Sequence, residues 1–211
     1  MATLTRSATF VTSDPPAEAV ERCRAWLVQH ASAGVLKRMR RPGNRRSYDA
    51  LLAKIRARVP GVTLRTTLIV GFPGETDEEF GELERFVEDT RFDHVGVFTY
   101  SHEEGTRAFA LDDDVPAAVK RKRRNALMSR QKKIVSRTQK TRIGTEVSVL
   151  VDGPSPEHEL VLQGRLEGQA PDIDPVVFLT DCDVERYGPG AMVTATVVGA
   201  KGYDLLARPT A

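Results

Sequence analysis

Apolar positions along this chain follow two different periods, and the change falls near Gly144. Before it the spacing is helical or strand-like by turns. Val35, Leu36 and Met39 share one helical face. After a Pro42-Gly43 break, Leu51, Leu52, Ile55 and Val59 mark an amphipathic helix that closes at Pro60-Gly61. Leu64 to Val70 is a strand rich in β-branched residues. Thr76 to Thr90 is a helix with Phe80, Leu83 and Val87 on its inner stripe. Its start is signalled by a capping box, Thr76 with Glu79, and by Asp77 and Glu78 at the positive end of the dipole. Val95 to Tyr100 is nearly all apolar, as expected of a strand buried on both faces. Strand, helix, strand predicts a βαβ unit and a parallel sheet.

From Pro116 to about Lys140 runs a long helix with a thin apolar stripe of Val119, Leu127, Ile134 and Val135. Beyond Gly144 the period becomes 2. EVSVLVDG, LVLQGRLEG, VVFLTD, AMVTATVVGA and YDLLARP read as five short strands parted by Gly, Pro and Asp turns. They predict a small closed antiparallel barrel of the oligonucleotide-binding shape. The sequence thus divides into residues 1–28, without period and read as disordered or unrelated, an α/β segment over 29–142, and a barrel over 143–211.

Charge sharpens that division. The net charge is only +2, yet residues 1–142 carry 27 basic and 18 acidic side chains, whereas 143–211 carry 4 and 11. Such a split predicts two units with different partners. Lys120 to Arg142 holds eleven Lys or Arg and no acid. It is either a solvated connector or a face for phosphates of rRNA or tRNA. The barrel is acidic, with Phe178, Tyr187 and Tyr203 as its aromatics, so it should prefer a basic protein to naked RNA. No window is apolar enough for a membrane span, and two cysteines, Cys23 and Cys182, form no C-x-x-C unit. The expected setting is reducing and cytoplasmic.

Candidate chemistry gathers at LIVGFPGETDEEF, residues 68–80. A glycine-rich turn at a helix N-terminus suggests a phosphate cradle. No Gly-Lys-Ser/Thr follows, however, and Glu75, Asp77, Glu78 and Glu79 repel phosphate. Two readings remain. Glu75, at a strand's C-terminal end, accepts from ribose hydroxyls or an amino group; or the segment is a tight turn and capped helix with solvated acids. In TYSHEEGT (99–106), Tyr100 offers a stacking face, or closes an ordinary loop. His30, His94, His102 and His158 are dispersed, and G-x-S-x-G is absent.

Four stretches then occur in order: QHASAGVLKRMRRPG (29–43), LIVGFPGETDEEF (68–80), FDHVGVFTYSHEEGTRA (92–108) and the terminal barrel. Together they resemble the C-terminal half of the radical-SAM methylthiotransferases, with the barrel similar to their TRAM domain. The HAS of QHAS, RRPG, the Tyr-Ser-x-Glu-Glu-Gly-Thr form and GQAPDID (168–174) resemble the RimO branch. That branch methylthiolates an aspartate of a small-subunit ribosomal protein. The resemblance implies later strands of a partial parallel α/β barrel, with S-adenosylmethionine across the strand ends. It implies cofactor-facing roles for Gln29, Arg41, Gly71, Gly74, Glu75, Tyr100 and Ser101, and a basic ribosomal protein on the acidic barrel. It also implies two 4Fe-4S clusters, whose C-x₃-C-x₂-C loop and further cysteines this sequence does not contain. The expectation is a C-terminal part, from a split gene, a mis-called start or a decayed copy, that is inactive without an N-terminal portion. The alternative is a stand-alone TRAM-type module binding ribosomal protein or RNA.

Overall fold

The structure is a computed structural model that describes residues 28–156 and 158–210. The expectations placed on residues 1–27, Cys23 among them, lie outside the described residues. The chain folds as two compact units that part between Gln131 and Lys132. The division falls inside the long basic helix, whose last turns therefore group with the barrel.

In the first unit, α1 (Ala33–Arg38) buries Val35 and Leu36 and stops where Arg40 turns left-handed ahead of Pro42. Helix α2 (Arg45–Arg58) starts with a reciprocal cap between Asn44 and Ser47. Its buried residues are Tyr48 and Leu52, with Leu51 and Ile55 only half-buried. Strand β1 (Arg65–Val70) alternates, with Thr66, Leu68 and Val70 inward. Helix α3 (Asp77–Thr90) has the predicted Thr76–Glu79 capping box and buries Leu83, Phe86 and Val87. Strand β2 (His94–Thr99) pairs with β1 in parallel, Leu68 opposite Val97. The backbone at Gln29 extends the layer by one bond, Ile69 N–H donating to Gln29 O at 2.9 Å.

Strand β2 departs from expectation, because it is not buried on both faces. Val95 and Val97 are buried, whereas Phe98 is 62% exposed, so only one face meets the helices. A run of apolar letters does not separate one-sided from two-sided burial.

Helix α4 (Ala117–Arg142) is continuous. Strands β3 (Glu146–Ser155), β4 (His158–Arg165), β5 (Val177–Leu179), β6 (Met192–Lys201) and β7 (Asp204–Pro209) close a barrel in the order β3-β4-β5-β7-β6. Val149, Val151, Leu162, Val177, Leu179, Val193, Ala195, Val197, Leu205 and Ala207 fill it. The barrel is not wholly antiparallel, since β5 and β7 pair in parallel. The cause is a long connection from β5 to β6, after which the β6–β7 hairpin returns β7 alongside β5. Closure depends on Gly164, because a Cβ there would strike Leu150 O and Val149 Cγ1.

Candidate functional site

The α/β unit converges on the turn Gly71-Phe72-Pro73-Gly74, which leaves the C-terminal end of β1. Gly71 and Gly74 both hold positive φ, +72° and +73°. Glu75 follows, fully buried, and its side chain folds back over the turn. Its Oε2 accepts from the N–H groups of Gly71 (2.6 Å) and Phe72 (3.2 Å). Its Oε1 meets Arg123 Nη1 at 3.1 Å, and Arg123 also donates to Glu75 O at 3.0 Å. Burial pushes the Glu75 carboxyl above its ordinary range, against the pull of Arg123 and the two backbone donors.

The outer side of the turn is fastened by Arg38 of α1. Its guanidinium donates to Pro73 O (3.1 Å), Gly74 O (3.1 Å) and Glu79 Oε2 (2.6 Å). Glu79 also accepts from Thr76 N–H (3.0 Å) and Ser32 Oγ (3.3 Å). Burial works against the Glu79 charge, but the Arg38 and Thr76 bonds outweigh it and hold its carboxyl low. Asp114 takes Gly74 N–H at 2.7 Å. Lys120 lies across Gly71, where a Cβ would land on the lysine chain. Its Nζ reaches both Asp113 oxygens (2.5 and 2.7 Å) and stands 5.0 Å from the Tyr100 ring centre.

His30 sits beneath this clamp. Its Nδ1 accepts from Ser32 N–H at 3.0 Å, which leaves the proton on Nε2. Nε2 has no hydrogen-bond partner among the described residues and lies 3.9 Å from Glu75 Oε2. Desolvation lowers the His30 pKa from 6.5 to about 4, so the ring is neutral near pH 7.

These bonds redefine the residues singled out in the sequence. Gly71, Gly74 and Glu75 come together, but both Glu75 oxygens are engaged within the protein. Glu75 locks the turn and presents no free carboxylate to a ribose. Tyr100 adjoins the turn, edge-on to Phe72 at 5.1 Å, with His102 and Phe109 stacked beyond it at 4.5 Å. Ser101 is exposed beside Tyr100. Gln29 reaches β1 through its backbone, and Arg41 is exposed just past α1 with its N–H bonded to Leu36 O. Arg38, Lys120 and Arg123 were not singled out individually. The signal for them was the charge count: several acids just after β1 require cations nearby once some of them are buried.

A cluster does not fit these residues. The described residues contain no group of three His, Cys, Asp or Glu able to hold a metal ion, and the whole sequence has two cysteines. A sulfonium nucleoside fits in part: the half-buried Tyr100 ring and Gly74 suit a flat ring and a close backbone approach, whereas Phe72 is buried, Gly71 is covered by Lys120 and Glu75 is already engaged.

A clamped βα turn at a strand's C-terminal end, followed by a closed five-stranded barrel, defines a two-unit α/β-plus-barrel protein. The profile of the TRAM domain matches residues 143–209, which is the barrel. The chain is 47% identical over 181 residues to "Ribosomal protein uS12 methylthiotransferase RimO" of Myxococcus xanthus (strain DK1622), covering 86% of this chain and 37% of that protein. Proteins of the same name from Geotalea uraniireducens (strain Rf4) and Anaeromyxobacter sp. (strain K) are each 45% identical. They match over 179 and 184 residues, covering 85% and 87% of this chain and 39% of each relative. The chain therefore spans about two fifths of the length of these relatives, and it is homologous to the C-terminal part of the RimO methylthiotransferases.

Proposed function

We propose that this chain provides the cofactor-edge turn and the substrate-binding barrel of a radical-SAM methylthiotransferase acting on an aspartate of ribosomal protein uS12. The observation that carries this reading is identity of about 45% to proteins of that name over 85% of the chain, running through both the clamped turn and the barrel. S-adenosylmethionine, when bound, supplies the radical chemistry. Tyr100, backed by buried Phe72, provides an apolar face for its base, while Arg38 and Arg123 hold the turn against it. The thiolates of both clusters must come from outside this sequence, so the chain alone makes no product.

The barrel's part is to hold the client protein. Gln169 and Asp174 close the 168–174 loop, accepting from Leu166 N–H (2.6 Å) and Ala170 N–H (2.7 Å). Asp172 and Ile173 are left exposed at its tip. With Glu146, Glu167 and Glu185 also exposed, this surface suits a basic protein.

The test is titration of uS12 onto the purified chain, with mass spectrometry of uS12 afterwards. Salt-sensitive binding without mass change is expected. A methylthio product formed by the chain unaided, or uS12 binding that is absent at low salt, would overturn the reading.

A further inference from the structure

Helix α4 contains eleven cations between Lys120 and Arg142, and the structure uses them in two ways. In its first half, four are engaged inside the α/β unit. Lys120 pairs with Asp113, and Arg123 with Glu75 and Asp77. Arg124 donates to Val97 O, and Arg130 grips Glu84 and Glu88. Arg121 and Lys122 stay exposed.

The second half belongs to the barrel unit and differs. Val135 and Gln139 are its buried positions, and Gln139 Nε2 donates to Tyr203 O at 3.2 Å. Lys133, Arg137 and Lys140 are exposed and have no hydrogen-bond or ion-pair partner among the described residues. At about 100° per residue they lie on the face away from Val135 and Gln139, at i, i+4 and i+7. Like charges at that spacing repel, so the row costs helix stability, offset only at Lys140, which lies in the last turn where the helix dipole favours a cation. Lys132 flanks the row, also exposed.

We infer that Lys133, Arg137 and Lys140 form a docking rail for the phosphate backbone of RNA. A straight row over about 10 Å of helix does not converge on one point, so it suits an extended polyanion better than a lone phosphate. Exposed Ser129 and half-buried Ser136 adjoin it and add hydroxyl donors for phosphate or ribose oxygens. An anionic membrane is a poorer match, because the apolar stripe that would enter lipid is already turned inward at Val135. The choice of RNA rests on the proposed ribosomal client, whose surroundings are RNA. The same unit then grips the client with acids and its RNA with bases.

The test uses the full chain and no ribosomal protein. Fluorescently labelled duplex RNA, a single strand of the same sequence, and phosphatidylserine vesicles are titrated across salt. Three phosphate contacts predict about a 20- to 40-fold loss of RNA affinity between 50 and 200 mM salt. The triple variant Lys133→Gln/Arg137→Gln/Lys140→Gln should abolish most of that slope and weaken RNA binding at least about tenfold at the lower salt. Its circular dichroism should be unchanged, since all three side chains are exposed. The single-strand arm reports which form of RNA the rail prefers, and binding to either sustains the inference. Absence of RNA binding, equal binding by the variant, or preference for vesicles would overturn it. RNA binding by a chain that fails to bind uS12 would sustain the rail while removing the proposed client. Binding of uS12 without RNA would do the reverse.

Discussion

Replacing Arg123 by Met removes a cation from a site with almost no water. The Arg123 side chain is 7% exposed and the Glu75 side chain 0%. Breaking a buried ion pair by removing one partner typically costs about 3–5 kcal/mol, because the remaining charge is left uncompensated. Glu75 keeps the Gly71 and Phe72 N–H bonds, so the lower end, about 3 kcal/mol, is expected at pH 7. The contact to exposed Asp77 adds little. For a unit of roughly 100 residues this corresponds to a melting decrease of roughly 15 °C. The loss should depend on pH. The folded Glu75 pKa already lies above its ordinary 4.5, chiefly through burial, and losing Arg123 raises it further. A group with a raised folded pKa takes up its proton first in the folded state. The penalty is therefore absent below about 4.5 and grows as pH rises through the folded value. Urea unfolding by far-ultraviolet circular dichroism from pH 4.5 to 7.5, with hydrogen exchange of the Gly71 and Phe72 amides, measures both effects. Arg123→Met/Glu75→Gln should regain at least half of the loss, since a neutral amide oxygen still accepts from the turn. A loss below about 1 kcal/mol that is flat with pH, and no recovery in the double variant, would refute the buried-pair account.

Three further outcomes follow from the same structure. His30, held near 4 by burial, is protonated first in the unfolded chain. The His30 contribution to stability should therefore rise by about 3 kcal/mol as pH increases from 4 to 6.5, opposing the Glu75 contribution, and His30→Gln should remove that rise from the urea-midpoint profile. Gly71→Ala should cost about 3 kcal/mol, whereas Gly61→Ala, also at positive φ but in open space, should cost about 1; the difference in unfolding free energy isolates the Lys120 contact. Gly164→Ala should cost more than about 3 kcal/mol and raise hydrogen exchange across β3 and β4, because the new methyl meets Leu150 O.

Local chemistry was the most legible part of the sequence. The Thr76–Glu79 box, strand β1 and the five barrel strands depend on neighbours two to four residues apart, and they stand where the pattern placed them. Features set by distant residues were hidden. The parallel pairing of β5 with β7 follows from where a hairpin returns, which no period encodes. The half-open face of β2 follows from what covers it. The Glu75 role depends on Arg123, 48 residues away, and a string of letters does not say which of eleven cations in one helix will turn inward. Position on the helix decides: Lys120, Arg123 and Gln131 fall with buried Leu127.

The acids after β1 also change meaning once their partners are known. Glu75 closes the turn onto Arg123, Asp77 shares that arginine, and Glu79 joins the cap of α3 to Arg38. The fourth acid, Glu78, is exposed and its carboxylate has no partner among the described residues. A rim of four acids is therefore half neutralised by Arg38 and Arg123, with Lys120 and Asp113 balancing one another alongside. The turn's backbone is likewise occupied: the Gly71, Phe72 and Gly74 N–H groups and the Pro73 and Gly74 carbonyls all have partners inside the protein. In the proposed role, a nucleoside approaching this edge meets a rigid surface that keeps net negative charge, with half-buried Tyr100 as its aromatic face. Its selectivity must come from shape and stacking, with few polar contacts from the turn itself. Substituting Tyr100 by Leu should accordingly weaken nucleoside binding in the assembled enzyme more than substituting Glu78 by Gln. Equal or opposite effects in a calorimetric titration would show that the charge of the rim, and not its shape, does the recognising.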